Sequence, residues 1–333
     1  MRGTGYANVA HSNPKWNVRC VFRRPSNRQQ TDRAVSLPPS EMAAWRAVAR
    51  VLRSPLDAAS CVLFPSRCRL CNGPLLHLSA APVCAPCWQN LPPQPKSNLC
   101  KICGEQLGWG DLRFSVRTQD GSDPLSLCPL CDRARPAFQQ AIAYGVYEGT
   151  LRALVHLLKY EQVPTVAGSL GALLAQAAAE LDDLPANIAV IAVPLHSAKE
   201  RERGFNQTIL LAQHTVRELR ALRPDVRVET ALRALGRQRG TESQSRLTPH
   251  QRRKNLRGAF YVANAEQVSG RAVLLLDDIY TTGATARECT RTLLQAGATC
   301  VYVATLARSQ REGVAFWDSS AAGSFAAVNS ATM

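Results

Sequence analysis

Apolar and polar positions change their rhythm several times along the chain. Residues 1–41 carry neither a twofold nor a 3.6-fold period and are rich in Arg, Ser, Asn and Pro, so a disordered basic extension is expected there. From Met42, a candidate for the natural start, Trp45, Val48, Val51 and Leu52 recur like one face of a helix, and 42–66 is predicted to be a short helix and linker. Residues 67–135 have no long apolar segment. Their Pro, Gly and Cys content cannot build an ordinary core and calls for a staple. Beyond them the pattern becomes regular. Gln139–Tyr147 is predicted as a strand and Gly149–Lys159 as a helix, with Leu151, Leu154, Val155 and Leu158 on one face. Helices are predicted at Gly168–Leu181, Gln207–Leu222 and Thr285–Ala296, and strands at Ile188–Val193, Ala272–Leu276 and Cys300–Leu306. Such alternation describes a mostly parallel sheet with helices packed on it. Residues 310–333 read as a frayed polar tail.

The best apolar runs, Ile188–Leu195 and Ala272–Leu276, are of strand length, and the N-terminus has no apolar core of the signal-peptide kind. A cytoplasmic protein with no membrane span is therefore expected. Charge adds one thing: the formal net charge of +15 favours a polyanionic partner, either nucleic acid or a small molecule with several phosphates. Part of the excess falls in residues 1–60. Another part lies between Arg233 and Arg257, where Glu242 is the sole acid. Residues 236–260, basic and almost free of apolar side chains before Leu256, read as a mobile flap whose Arg246, Arg252, Arg253 and Lys254 suit a phosphorylated substrate or a nucleic-acid backbone.

Eight of the 12 cysteines fall into four Cys-x-x-Cys pairs: Cys68/Cys71, Cys84/Cys87, Cys100/Cys103 and Cys128/Cys131. Each pair sets two sulfurs on one tight turn, and two such turns complete a tetrahedral zinc site. Eight ligands make two structural Zn²⁺ sites. A redox pair belongs at a single strand–helix junction, not in four copies in a Pro/Gly-rich segment, which favours metal over thiol chemistry. Pairing in chain order is expected, although spacing alone leaves interleaved pairing open. Cys20, Cys61, Cys289 and Cys300 have no such partners, and the last two read as core residues.

The segment VLLLDDIYTTGAT at 273–285 carries the most chemistry. An apolar strand is predicted to end at Asp277 and Asp278 and to pass through Thr281, Thr282, Gly283, Ala284 and Thr285 into a helix, the carboxyl-end geometry at which open α/β sheets bind ligands. Backbone N–H groups and hydroxyls at 281–285 can wrap a phosphate, with Gly283 allowing close approach. Two adjacent carboxylates would repel that phosphate. They suit sugar hydroxyls or a Mg²⁺ ion. A second predicted loop, within VPLHSAKERERGFNQ at 193–207, carries Lys199, Arg201 and Arg203, cations fit to hold a pyrophosphate leaving group.

Together these residues resemble the ComF family (ComFC/GntX-like), in which a double zinc ribbon precedes a type I phosphoribosyltransferase domain. The resemblance runs from about Cys61 to Ala307 and rests on LFPSRCRLCNGPL, the four cysteine pairs, YEGTLRALVHLLKY, VPLHSAKERERGFNQ, QRRKNLRGAF and VLLLDDIYTTGAT. It implies a zinc ribbon pair at 67–135 and a transferase domain at 136–309. It further implies that Asp277 and Asp278 hold the ribose hydroxyls of phosphoribosyl pyrophosphate (PRPP) and that Thr281–Thr285 hold its 5′-phosphate. Lys199, Arg201 and Arg203 would face pyrophosphate, with Lys159 approaching the same place. Of these, Asp277, Asp278, Lys199 and Arg203 are the expected catalytic set, and Mg²⁺ is expected to accompany PRPP. The implied activity is transfer of the phosphoribosyl group to an acceptor that the sequence does not identify, with a link to competence and DNA uptake. The alternative is a non-catalytic PRPP- or nucleotide-sensing adaptor that binds single-stranded DNA or a DNA-uptake helicase.

Overall fold

The computed structural model describes residues 66–75, 81–108, 115–116, 125–238 and 256–310, all within one compact unit. The expectations for 1–41, for Met42 and the Trp45–Leu52 helix, for Cys20 and Cys61 and for the tail beyond Gln310 lie outside those residues, as do the flap cations Arg246, Arg252, Arg253 and Lys254.

Five strands form one parallel sheet: β3 (Ala141–Val146), β4 (Asn187–Ala192), β5 (Arg227–Thr230), β8 (Ala272–Tyr280) and β9 (Cys300–Arg308). Their order is β3-β9-β8-β4-β5. Central β8 and β9 are apolar at nearly every position because helices cover both faces, so they read as continuous runs without alternation. From β4 the chain crosses to β5 on one side, and from β8 it crosses to β9 on the other. The gap between the carboxyl ends of β4 and β8 is thus a topological switch point, where such sheets open a crevice.

The helices α3 (Gly149–Tyr160), α4 (Ala167–Ala179), α6 (Gln207–Leu222) and α7 (Ala284–Gln295) lie close to the predicted spans. Three features depart from expectation. The cationic loop is a short helix, α5 (Ser197–Arg203): the His196 side chain caps it by accepting from Ala198 N at 3.3 Å, its Ala, Lys, Glu and Arg residues are good helix formers, and Gly204, at φ 75°, ends it. Strand β8 does not stop at Leu276 but carries Asp277 and Asp278 inside its pairing with β9, out to Tyr280 opposite Arg308. Lastly, the expected flap is anchored at both ends by antiparallel strands β6 (Leu235–Arg237) and β7 (Phe260–Val262), with Arg237 opposite Phe260. The cysteine-rich segment contributes α1 (Ala85–Gln89), the paired strands β1 (Ser115–Val116) and β2 (Leu125–Ser126), and α2 (Pro129–Arg133).

Helix α6 is fixed at its start and again midway. Asn206 caps it through bonds to Thr208 N at 3.1 Å and Ile209 N at 3.3 Å. Further along it crosses α4 so closely that Thr215 donates to Gly171 O at 3.1 Å. A Cβ on Gly171 would lie 2.5 Å from the Cβ of His214 and 3.0 Å from Leu211 O. Gly171→Ala gains about 1 kcal/mol of helix propensity but forces the two backbones apart, which costs about 1–3 kcal/mol. The expected outcome is a lower urea midpoint with an unchanged m-value; a midpoint equal to or above the parent's would refute this packing.

Candidate functional site

Gly283, at φ 71°, turns the chain from β8 into α7, and no side chain caps that helix. A Cβ on Gly283 would overlap the Tyr280 hydroxyl, so glycine is required by both its backbone angle and its contact. The open N–H groups of the first turn and the helix dipole make residues 281–285 a place for an anion. Loop residues Thr281, Gly283, Ala284 and Thr285 enclose a small pocket together with Asp277.

The two acids of β8 have different surroundings. Asp278 is buried and held from two sides: Lys159 Nζ lies 2.8 Å from its Oδ1, and Gln207 Nε2 donates to its Oδ2 at 3.3 Å. Burial disfavours the Lys159 ammonium, but the Asp278 and Asp277 charges outweigh that and raise its pKa. Asp277 receives the backbone N–H of Asp278 at 2.8 Å. Its carboxyl is pushed up to about 8, first by burial and then by the Asp278 charge, against the pull of Lys159 and Arg237.

Around these acids gather more cations than they neutralise. Burial, then Arg203 and Arg237, lowers the pKa of Lys199, so three cationic groups crowd one place. Arg203 stacks over the Tyr160 ring at 5.2 Å. The Nη1 of Arg203, Oε1 of Gln207 and Oγ1 of Thr282 are buried without a hydrogen-bond partner, an uncommon expense in a folded protein and a sign of a site shaped for a polar ligand.

The fold thus sets Lys159 on Asp278, lines one pocket with Asp277 and the 281–285 loop, and gathers Lys199 with Arg203, Arg237 and Lys159. Lys199 and Arg203, four residues apart, share one face of α5, whereas Arg201 stands exposed on the opposite face. Two participants escaped the sequence reading. Gln207 was visible in the RGFNQ run but had no assigned role. Arg237 gave no local signal, because only the pairing of β6 with β7 carries it near Asp277.

The cysteines gather in chain order into two groups, Cys68, Cys71, Cys84, Cys87 and Cys100, Cys103, Cys128, Cys131, with the sulfurs of each group within 4.8 Å of one another. Separations of 3.9 Å for Cys68–Cys87, 3.6 Å for Cys71–Cys84 and 3.6 Å for Cys103–Cys128 are far too long for disulfides. They match the roughly 3.8 Å edge of a tetrahedron built on zinc–sulfur bonds of about 2.3 Å. Backbone N–H groups of Leu70 and Cys84 point at Cys68 Sγ at 3.4 Å, as befits a thiolate. Both groups fit a double zinc ribbon. They differ in setting: all four cysteines of the second are buried, while Cys71 of the first is exposed.

A family model of the phosphoribosyl transferase domain matches residues 206–330. The DNA utilization protein YhgH of Salmonella typhi is 31% identical over 248 residues, spanning 74% of this chain and 98% of that protein. Competence protein F of Haemophilus influenzae is 28% identical over 250 residues, with the same coverage of both chains. Competence protein ComFC of Bacillus subtilis is 33% identical over 121 residues, covering 36% of this chain and 44% of that one. A solved glutamine PRPP amidotransferase from B. subtilis superposes with a TM-score of 0.27 at 20% identity. The likeness covers 42% of this chain and about a quarter (26%) of that one, and is too slight to carry weight.

Two outcomes follow from this geometry. A carboxyl raised above its unfolded value stabilises the fold below the ordinary carboxylate pKa, and that contribution is lost as pH climbs through the folded value. The ligand-free protein is therefore expected to lose stability between about pH 4 and pH 8 on account of Asp277. Asp277→Asn should flatten that slope in denaturant midpoints taken across the range; an unaltered slope would contradict the assignment. Cys84→Ser should remove one of two zinc equivalents, measured by atomic absorption, and unchanged zinc content would exclude Cys84 as a ligand.

Proposed function

We propose a function from one premise: the chain belongs to the ComF family, and its architecture of cysteine clusters followed by a type I phosphoribosyltransferase domain is put to use as a PRPP-dependent transferase. The observation that carries the reading is the uncapped start of α7 behind Gly283, set at the switch point beside Asp277 and Asp278 and ringed by Lys159, Lys199 and Arg203. A ligand with a phosphate at one end, hydroxyls in the middle and a pyrophosphate at the other satisfies each of these groups. No single-phosphate ligand would use both the loop and the α5 cations.

In this reading the first-turn N–H groups of α7 and the hydroxyls of Thr281, Thr282 and Thr285 hold the 5′-phosphate. Asp277 and Asp278 take the ribose hydroxyls, Asp278 already oriented by Lys159 and Gln207. Lys199 and Arg203 receive the pyrophosphate, and the free Nη1 of Arg203 gains the partner it lacks. The C1–O bond breaks with its electron pair leaving on pyrophosphate, and the acceptor's nucleophilic atom bonds C1 and gives its proton to the departing pyrophosphate or to solvent. Cations prearranged for the departing charge lower the barrier without a dedicated base. Magnesium, when bound, would be held by the Asp277 and Asp278 carboxylates and would supply positive charge to screen the pyrophosphate. Relatives named for DNA utilization and competence suggest DNA uptake as the setting of this chemistry.

Calorimetric titration of PRPP with Mg²⁺ into the zinc-replete protein tests the reading. Saturable binding is expected, lost by at least tenfold in Asp277→Asn/Asp278→Asn, since charge-assisted bonds are worth about 1.5–3 kcal/mol each. Equal affinity in parent and variant, or no binding by the parent, would overturn it.

A further inference from the structure

The two cysteine clusters are not equivalent, and the difference points at the phosphate loop. The second cluster is embedded in the transferase core. Cys100, Cys103, Cys128 and Cys131 share one continuous buried cluster with Phe138, Leu275, Tyr280, Ala284 and Ala286, whereas none of the first cluster's cysteines joins it. At the junction stands Arg308, the last residue of β9 and 3% exposed. Its guanidinium donates to Glu105 Oε2 from Nε at 3.0 Å and again from Nη2, to the backbone carbonyl of Cys103 from Nη1, and approaches Cys103 Sγ at 3.5 Å from Nη2. The face of the same guanidinium lies 4.3 Å from the centroid of the Tyr280 ring. Phe138 closes the other approach to that ring, edge-on at 6.5 Å. The Tyr280 hydroxyl in turn occupies the space a Cβ of Gly283 would need.

We infer that Arg308 and Tyr280 are positioning residues that brace the phosphate loop on the second cysteine cluster. Order passes along one chain of contacts: Cys103 and Glu105 fix the fork of Arg308, Arg308 fixes the plane of Tyr280, and Tyr280 fixes the turn at Gly283 from which the first N–H groups of α7 project. Register supports the same chain, because Tyr280 pairs with Arg308 across the β8–β9 ladder and Ser309 N donates to Tyr280 O at 2.9 Å. An arginine cannot be left unpaired at 3% exposure, so the loop side depends on the ribbon side supplying Glu105 and the Cys103 carbonyl. Metal at the second cluster thereby holds the anion site in shape, while metal at the first serves its own ribbon.

The brace matters to activity through the PRPP reading, but its test is independent of it. Amide hydrogen exchange of residues 287–290, the first hydrogen-bonded turn of α7, where Arg287 N donates to Gly283 O at 2.9 Å, is followed in the ligand-free, zinc-replete protein. Tyr280→Leu, which removes the ring and leaves Arg308, Glu105 and all eight cysteines, is expected to raise exchange there about tenfold, the scale of one cation–π contact. Tyr280→Phe keeps the ring and should restore protection to within about twofold. Cys103→Ser should raise exchange at 287–290 as Tyr280→Leu does, and Cys71→Ser should not, although each loses one zinc. Should Cys103→Ser fail to fold, the Tyr280 pair decides alone. Unchanged exchange in Tyr280→Leu, or equal loop loosening in Cys71→Ser and Cys103→Ser, overturns the inference. PRPP titration of the parent runs alongside: its failure would remove the transferase reading and leave the exchange result to judge the brace.

Discussion

Two neighbouring carboxylates on the central strand of a covered parallel sheet are the constraint around which the site is arranged. Asp278 is buried and Asp277 is half-buried beside it, so each needs compensation that a strand cannot provide. For Asp278 it comes from Lys159 at the end of α3 and Gln207 at the start of α6, two helices on different crossovers of the sheet. Asp277 is left only partly compensated and holds its proton to about pH 8. That division gives the pair two characters, one acid engaged with Lys159 and Gln207 and one without a side-chain ion pair among the described residues.

The same economy governs the cations. Lys199, Arg203 and Arg237 arrive from α5 and β6 and crowd one another more than the acids relieve, as the lowered pKa of Lys199 records. A protein maintains such crowding where an anion settles it. The helix α5 sorts its cations by its period: Lys199 and Arg203, four apart, share one half-buried face, while Arg201 between them is exposed.

The cysteine-rich segment would ordinarily be read as an appendage. Its second half is instead continuous with the sheet's own core, and Arg308 and Glu105, some two hundred residues apart, form a buried pair across the junction. A buried ion pair contributes little net stability but punishes any displacement of either partner, which makes it a device for holding two segments in one relation. Here the relation held is that between a thiolate cluster and the turn entering α7.

Much of this was legible in the residues themselves. Cys-x-x-Cys spacing encodes tight turns locally, so eight ligands and two clusters followed from the sequence, and the continuous apolar runs of β8 and β9 announced a buried parallel sheet because both faces of such strands are covered. Family-level likeness in 273–285 and 193–207 named the candidate loop and its candidate cations by number. What the residues alone did not reveal depends on contacts distant along the chain. The pairing of β6 with β7 carries Arg237 to Asp277, the capping of α5 by His196 turns a supposed loop into a helix that separates Arg201 from Lys199 and Arg203, and the extension of β8 to Tyr280 is decided by its ladder with β9. Periodicity reports what a residue buries, but not against whom. The choice of partner for Asp278, for Arg308 and for Tyr280 is made only when the sheet closes and desolvation forces every buried charge to find one.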